Sequence, residues 1–282
     1  MPATFPGCGL SGSAPPWTYR PPPRLTLEHF RVPATFPGCG PSPRSSHAPF
    51  SPNRNKSPTR MARIVKSLAA MGRAKVILQS EFPYSITARC NNREWFSIPL
   101  DEVWHLLTDE LYLTVILYNL KVHSFVMMAN HFHLIVSTPD ANISIAMKRF
   151  MEMTSLRIRE KSKRINRIWG ARHYKCILSR DAHYMNVYKY NYFNPVKAGI
   201  VVRCEDYPFS TLRSLLGMGR ALVPIAQDEL LFDDPEGCLN WLNQHPENKK
   251  LNAIRTAMNK GIFRHVKCPN SRKQIVEDDE VI

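Results

Sequence analysis

Residues 127–137 read MMANHFHLIVS. His131 and His133 flank Phe132 in a run that is otherwise mostly apolar. In extended backbone, alternate side chains share a face. His131, His133 and Ile135 then project together, while Phe132, Leu134 and Val136 project the other way, as a core face would. Same-face neighbours along a strand lie about 7 Å apart, close enough for two imidazoles to chelate one cation. The same spacing fits two half-exposed histidines on a sheet surface, and spacing alone leaves both readings standing.

A second stretch with chemical content is YMNVYKYNYFNPVKAGIV at 184–201. Tyr184, Tyr188 and Tyr192 follow an i, i+4 rhythm and fit an aromatic packing stripe on a helix. Tyr190 lies off that stripe. It precedes Asn194 by four residues, so the two share a helix face if the helix runs that far. Pro195 biases Asn194 towards extended backbone and is expected to stop the helix. Gly199 suits a left-handed residue just past the end.

The elements that must hold these groups can be read from periodicity. PYSITAR (83–89) alternates as a strand does. LDEVWHLLTDELYLTVILYNL (100–120) has helical spacing, with Asp101 as cap or first-turn acid. KVHSFVMM (121–128) and ANHFHLIVS (129–137) read as a strand hairpin turning near Ala129 and Asn130. Residues 139–162 form an amphipathic helix whose expected apolar stripe is Ile145, Phe150, Met153 and Leu156. Residues 173–179 give a short strand, and 181–193 a helix capped by Asp181. The order β-α-β-β-α-β-α predicts an α+β fold, a ferredoxin-like antiparallel sheet with helices on one face. Residues 216–282 read as a helical and polar extension.

Residues 1–60 differ in character. They hold 14 of the 23 prolines and a single acidic residue, Glu28, and no apolar period persists. This composition predicts disorder. PATFPGCG occurs at 2–9 and again at 33–40, and two short copies cannot share a core as repeat folds do. The duplication fits repeated DNA read as protein. Met61 then opens a stretch typical of a protein start, so residues 1–60 are expected to be an upstream, non-native extension and 61–215 the working domain.

The whole chain of 282 residues carries 38 Lys+Arg against 23 Asp+Glu, a formal +15. Residues 61–282 keep 31 against 22, still +9. Such an excess favours a polyanionic partner, nucleic acid or an anionic surface. No window approaches 18 uninterrupted apolar residues, and no secretory signal is apparent. Seven scattered cysteines without CxxC pairs suit a reducing compartment. The expected location is cytoplasmic.

MMANHFHLIVSTP, then YNYFNPVKAGIV, then CEDYPFSTL together resemble the IS200-like, single-tyrosine transposases of the HUH superfamily. The REP-associated tyrosine transposase branch is the nearest in pattern. The resemblance covers roughly residues 80–215. It implies that His131 and His133 bind a divalent metal, that Asn194 completes the site, and that Tyr190 is the catalytic nucleophile. Two positions depart from the family pattern: Ala129 stands where proline is usual, and Asn191 where an aliphatic residue is usual.

The implied activity is cleavage and rejoining of single-stranded or hairpin DNA through a 5′-phosphotyrosine. A covalent protein intermediate conserves the phosphodiester energy, and a free tyrosine, with a pKa near 10, needs help at neutral pH. Imidazole ligands by themselves lean towards Zn, Ni or Cu, whereas the resemblance implies Mg²⁺ or Mn²⁺. Relatives often act as dimers, so a homodimer is one assembly the resemblance allows. For DNA contact, the basic run at 148–175 offers Arg157, Arg159, Lys161, Lys163, Arg164 and Arg167 for phosphates, with Trp169 and Tyr174 for base stacking. For any one of these residues, a solvated helix face or a core aromatic is an equally ordinary role. Two other functions compete: an inactive nucleic-acid-binding protein on the same scaffold, and an unrelated metal hydrolase or oxygenase. The latter would want a third ligand such as Asp140.

Overall fold

The structure is a computed structural model that describes residues 77–282, apart from 220, 221 and 228. The expectations for residues 1–60, and for the Met61 start, lie outside the described residues. Four strands form one antiparallel sheet: Tyr84–Arg89 (β1), Lys121–Met127 (β2), His131–Ser137 (β3) and Tyr174–Ile177 (β4). Their spatial order is β2-β3-β1-β4, with β1 antiparallel to both β3 and β4. The helices Leu100–Tyr118 (α1) and Ile143–Ser162 (α2) fall between the strands in sequence. This is the ferredoxin-like α+β arrangement.

α1 and α2 cover one face, as expected. Phe132, Leu134 and Val136 of β3 are fully buried there with Val103, Leu107, Leu111, Met147 and Phe150. Phe132 meets Phe150 and Trp169 edge to face, with centroids 5.5 and 5.3 Å apart. The apolar stripe of α2 differs from the expected one. Ile145 is 56% and Leu156 53% exposed, and the buried positions are Ile143, Ala146, Met147, Phe150, Thr154 and Ile158. Thr154 disguises that stripe. It is a polar residue at a core position, satisfied by donating to the Phe150 carbonyl (2.7 Å) and accepting from Trp169 Nε1 (3.1 Å).

The second face, which carries the histidines, is covered as well. Asp181–Lys197 (α3) lies there, followed by Thr211–Leu215 (α4), Glu229–Asp233 (α5), Pro235–Asn243 (α6) and Asn248–Ala257 (α7). Their buried side chains, Tyr188, Tyr192, Leu212, Leu242, Leu251 and Ile254 among them, join Val126 and Ile135 of the sheet in a second core. The stretch 205–282, which carried little sequence signal, therefore supplies a large part of this second core.

α3 does not stop before Pro195. It runs on to Lys197 with Pro195 inside. Proline costs a helix mainly the bond its missing N–H would donate, and here that falls in the last turn. The end is tied off by Ile200 N–H to the Pro195 carbonyl (3.0 Å) and Gly199 N–H to that of Val196 (2.9 Å), with Gly199 left-handed at φ +69°. That pair of bonds is the Schellman ending.

Candidate active site

The floor of the site is the second face of β1 and β3. Register pairs Thr87 with His133 and Arg89 with His131, and pairs Thr87 with Tyr174 on β4. Alternation thus places Ser85, Thr87 and Arg89 beside the two imidazoles, whose ring centroids are 5.0 Å apart. α3 forms the roof. Because the helix continues through Pro195, Tyr190 and Asn194 stay on one face, i and i+4. The Tyr190 ring stands edge-on to His133 at 5.7 Å. Asn194 Nδ2 lies 2.7 Å from His133 Nε2.

The hydrogen bonds fix how the imidazoles are presented. Asn130 donates its amide to the Arg93 carbonyl at 2.8 Å, which turns Oδ1 to His131 Nδ1, also 2.8 Å away. Oδ1 only accepts, so His131 carries its proton on Nδ1 and keeps a lone pair on Nε2. His133 Nδ1 faces Thr87 Oγ1 at 3.0 Å. With Asn194 donating to Nε2, His133 is the same tautomer and gives its Nδ1 proton to Thr87. Burial keeps both rings neutral. It pushes His131 down to about 4, helped by Arg89 and Arg255. It holds His133 well below the usual histidine value, with further push from His131, Arg89 and Arg255.

Two neutral imidazoles with oriented Nε2 lone pairs, and an amide at contact distance, make a donor set that fits a divalent cation. Among the described residues no cluster of three or more His, Cys, Asp or Glu could hold a metal. The third donor available here is instead the Asn194 amide, which would have to turn its oxygen in place of the Nδ2 that now faces His133. Asp140, the carboxylate nearest in sequence, is exposed in a turn, accepts from Asn119 at 3.4 Å, and does not line the cleft.

His131, His133, Tyr190 and Asn194 all line one cleft of about 750 Å³. Arg89, Arg93, Arg172, Lys197 and Arg255 line it too, and among its lining residues there is no carboxylate. Tyr190 is 6% exposed. Burial raises its phenol, and Arg255 and Arg89 work against that rise.

The DNA-contact residues expected from the basic run fare differently, and of the eight only Tyr174 lines the cleft. Trp169 is 5% exposed in the first core and donates its indole to Thr154, so its face is not open to a base. Arg157 reaches Asp109 (3.1 Å) and Glu110 (3.2 Å), Lys161 reaches Glu102 (2.7 Å), and Arg164 pairs with Glu94. Arg159 donates to the Arg164 carbonyl at 3.4 Å. Lys163 caps α2 in the left-handed region, and Arg167 is exposed. Acidic residues of α1 and the preceding loop meet three of these six cations, Arg157, Lys161 and Arg164, a pairing that a linear scan for basic residues does not show.

Residues 84–190 match the family described as "Transposase IS200 like". Over that segment, less than half of its length, the chain is similar to IS200-like transposases. The segment contains His131, His133 and Tyr190 and ends at that tyrosine, so Asn194, Lys197 and Arg255 lie beyond it. A solved structure, "Structure of the REP associates tyrosine transposase bound to a REP hairpin", aligns with a TM-score of 0.46 and 22% identity. That alignment spans 56% of this chain and 93% of that one. No curated protein matches the chain. Among the described residues, no helix of the chain is long and apolar enough to cross a membrane.

Several cleft residues carried no usable signal in the sequence. Thr87 and Arg89 alternate correctly within PYSITAR, but that β1 pairs beside β3 is a matter of topology. Arg172 sits in a loop. Lys197 needs a helix that continues past proline. Arg255 lies more than 60 residues beyond Tyr190.

Proposed function

We propose that this chain is a transposase that cleaves and rejoins single-stranded or hairpin DNA through a covalent 5′-phosphate on Tyr190, with a divalent cation, Mg²⁺ or Mn²⁺, held by His131, His133 and Asn194. The observation that carries this reading is the meeting of those four side chains in one cationic, carboxylate-free cleft. The cation would supply Lewis-acid polarisation of the scissile phosphate. Its proposed ligands are all neutral, so its charge is left to the phosphate.

Tyr190 Oη attacks phosphorus, the P–O3′ bond breaks, and the phenol loses its proton. The departing 3′ oxygen gains a proton and leaves as a hydroxyl. In the reverse step a 3′-hydroxyl attacks the phosphotyrosine and restores the phenol, so no nucleotide cofactor is consumed. Tyr190 is a workable leaving group because a phenolate is far more stable than an alkoxide. Arg89 and Arg255 favour its anionic form. A recessed phenol lining a cleft suits a strand that arrives without its complement.

The test is incubation of labelled single-stranded hairpin DNA with the full chain and Mg²⁺ or Mn²⁺, followed by denaturing electrophoresis. A protein–DNA adduct should form, and Tyr190→Phe should abolish it while DNA binding persists. An adduct that survives Tyr190→Phe and disappears in Tyr188→Phe would sink the assignment. Binding with no adduct under any metal would leave a DNA-binding protein on a transposase scaffold.

A further inference from the structure

We propose that Arg255, on α7 and outside the family-matched segment, grips a DNA phosphate beside Tyr190, so that the carboxyl-terminal region completes the DNA site. The proposal rests on the reading of the cleft as a DNA site and extends it to a residue that the family match does not reach.

The placement comes from packing. α7 buries Leu251, Ala253, Ile254 and Ala257, and three of these, Leu251, Ile254 and Ala257, join the core that holds Tyr188 and Tyr192 of α3. That face fixes the helix, and Arg255 is carried on the other side, exposed and lining the cleft with Met258 and Asn259. One turn earlier, Asn252 Oδ1 accepts from Lys197 Nζ at 3.4 Å. The carboxyl-terminal wall therefore brings Arg255 towards Lys197 at the end of α3. Arg89 enters from the sheet floor.

A guanidinium normally finds a carboxylate when one is near, as Arg157, Arg164 and Arg180 do here. Among the described residues, Arg255 has no ion-pair partner, and the cleft offers none. Gathering unpaired cations around one cavity costs mutual repulsion, and an anionic ligand removes that cost. The planar fork of arginine matches two phosphate oxygens at once. Its influence on the Tyr190 phenol agrees with a position on the tyrosine side of the cleft.

The experiment measures binding of a single-stranded hairpin oligonucleotide across a salt series. The full chain carries Tyr190→Phe, so no cleavage intervenes. Removing one phosphate contact should reduce the slope of log affinity against log salt by about 0.7. Arg255→Gln should show that reduction, with roughly tenfold weaker binding at moderate salt. Arg255→Lys should restore the slope. Arg157→Gln, whose parent side chain already faces Asp109 and Glu110, should leave it unchanged.

An Arg255→Gln slope equal to the parent's overturns the proposal. So does a slope lost equally in Arg157→Gln, one that Arg255→Lys fails to restore, or a parent without salt-dependent binding. Melting temperatures of the variants separate these effects from misfolding. Failure of the phosphotyrosine reading would show separately, as a missing adduct from the chain with Tyr190 intact.

Discussion

Thr87 shows how much a neighbour decides about His133. Its hydroxyl sits 3.0 Å from Nδ1 and, by accepting that proton, leaves the Nε2 lone pair turned towards Asn194. A valine at this position has the same shape and no acceptor. Thr87→Val should therefore keep the fold but lower Mn²⁺ affinity, roughly 10- to 100-fold, as removal of such supporting bonds does at other metal sites. Titration calorimetry with Mn²⁺ on the full chain reads this directly, and unchanged affinity would remove Thr87 from the site. At this scale much was visible in the sequence. His131 and His133 share a face because strands alternate, and Phe132 is core for the same reason. Their partner was not visible. Thr87 stands 46 residues away, and only strand pairing brings it across. The burial of Trp169 was not visible either, because nothing linear shows that Thr154 and Phe132 enclose it.

At the scale of elements, the helix that carries Tyr190 matters most. Its length decides whether Asn194 joins the tyrosine on one face. Pro195 read locally as a stop, yet packing holds the helix together. Val187, Tyr188, Tyr192, Phe193 and Pro195 are all buried, and that burial outweighs one missing bond near the end. The stop itself belongs to Gly199, which sequence did indicate. An added Cβ there would meet nothing within 4 Å, so only the left-handed backbone at φ +69° opposes a side chain. Gly199→Ala should thus destabilise the chain by about 1 kcal/mol. Urea unfolding followed by circular dichroism measures it, and a neutral or stabilising result would show that the helix end relaxes into another conformation. The order of elements along the chain as far as α3, and the hairpin around Asn130, were legible from periodicity. The true stripe of α2 was not, because Thr154 occupies a core position and Ile145 and Leu156 lie outside it. The carboxyl-terminal helices were read only as a helical and polar extension, and their packing went unseen for a related reason. They are short, and the stripes they bury become apparent only against the second sheet face.

At the scale of the whole described structure, burial acts on six histidines. It pushes His123, His131, His173 and His183 down to about 4, and lowers His133 and His265 as well. Between about 6.5 and 4 the unfolded chain takes up protons that the folded chain refuses. More protons bound in the unfolded state means that stability rises with pH in that window. It is fully present above about 6.5 and is lost as pH falls. Carboxylates held low by cationic partners, such as Glu280 beside Lys250, extend the loss below the histidine window. The net positive charge of the chain grows in the same direction and adds self-repulsion. The melting temperature of the metal-free chain should therefore be lower at pH 5 than at pH 7.5, by about 10 °C. Scanning calorimetry at the two pH values tests it. A midpoint that stays constant or rises on acidification would mean that these histidines are protonated in the folded state, and the neutral imidazoles on which the proposed metal site depends would go with them.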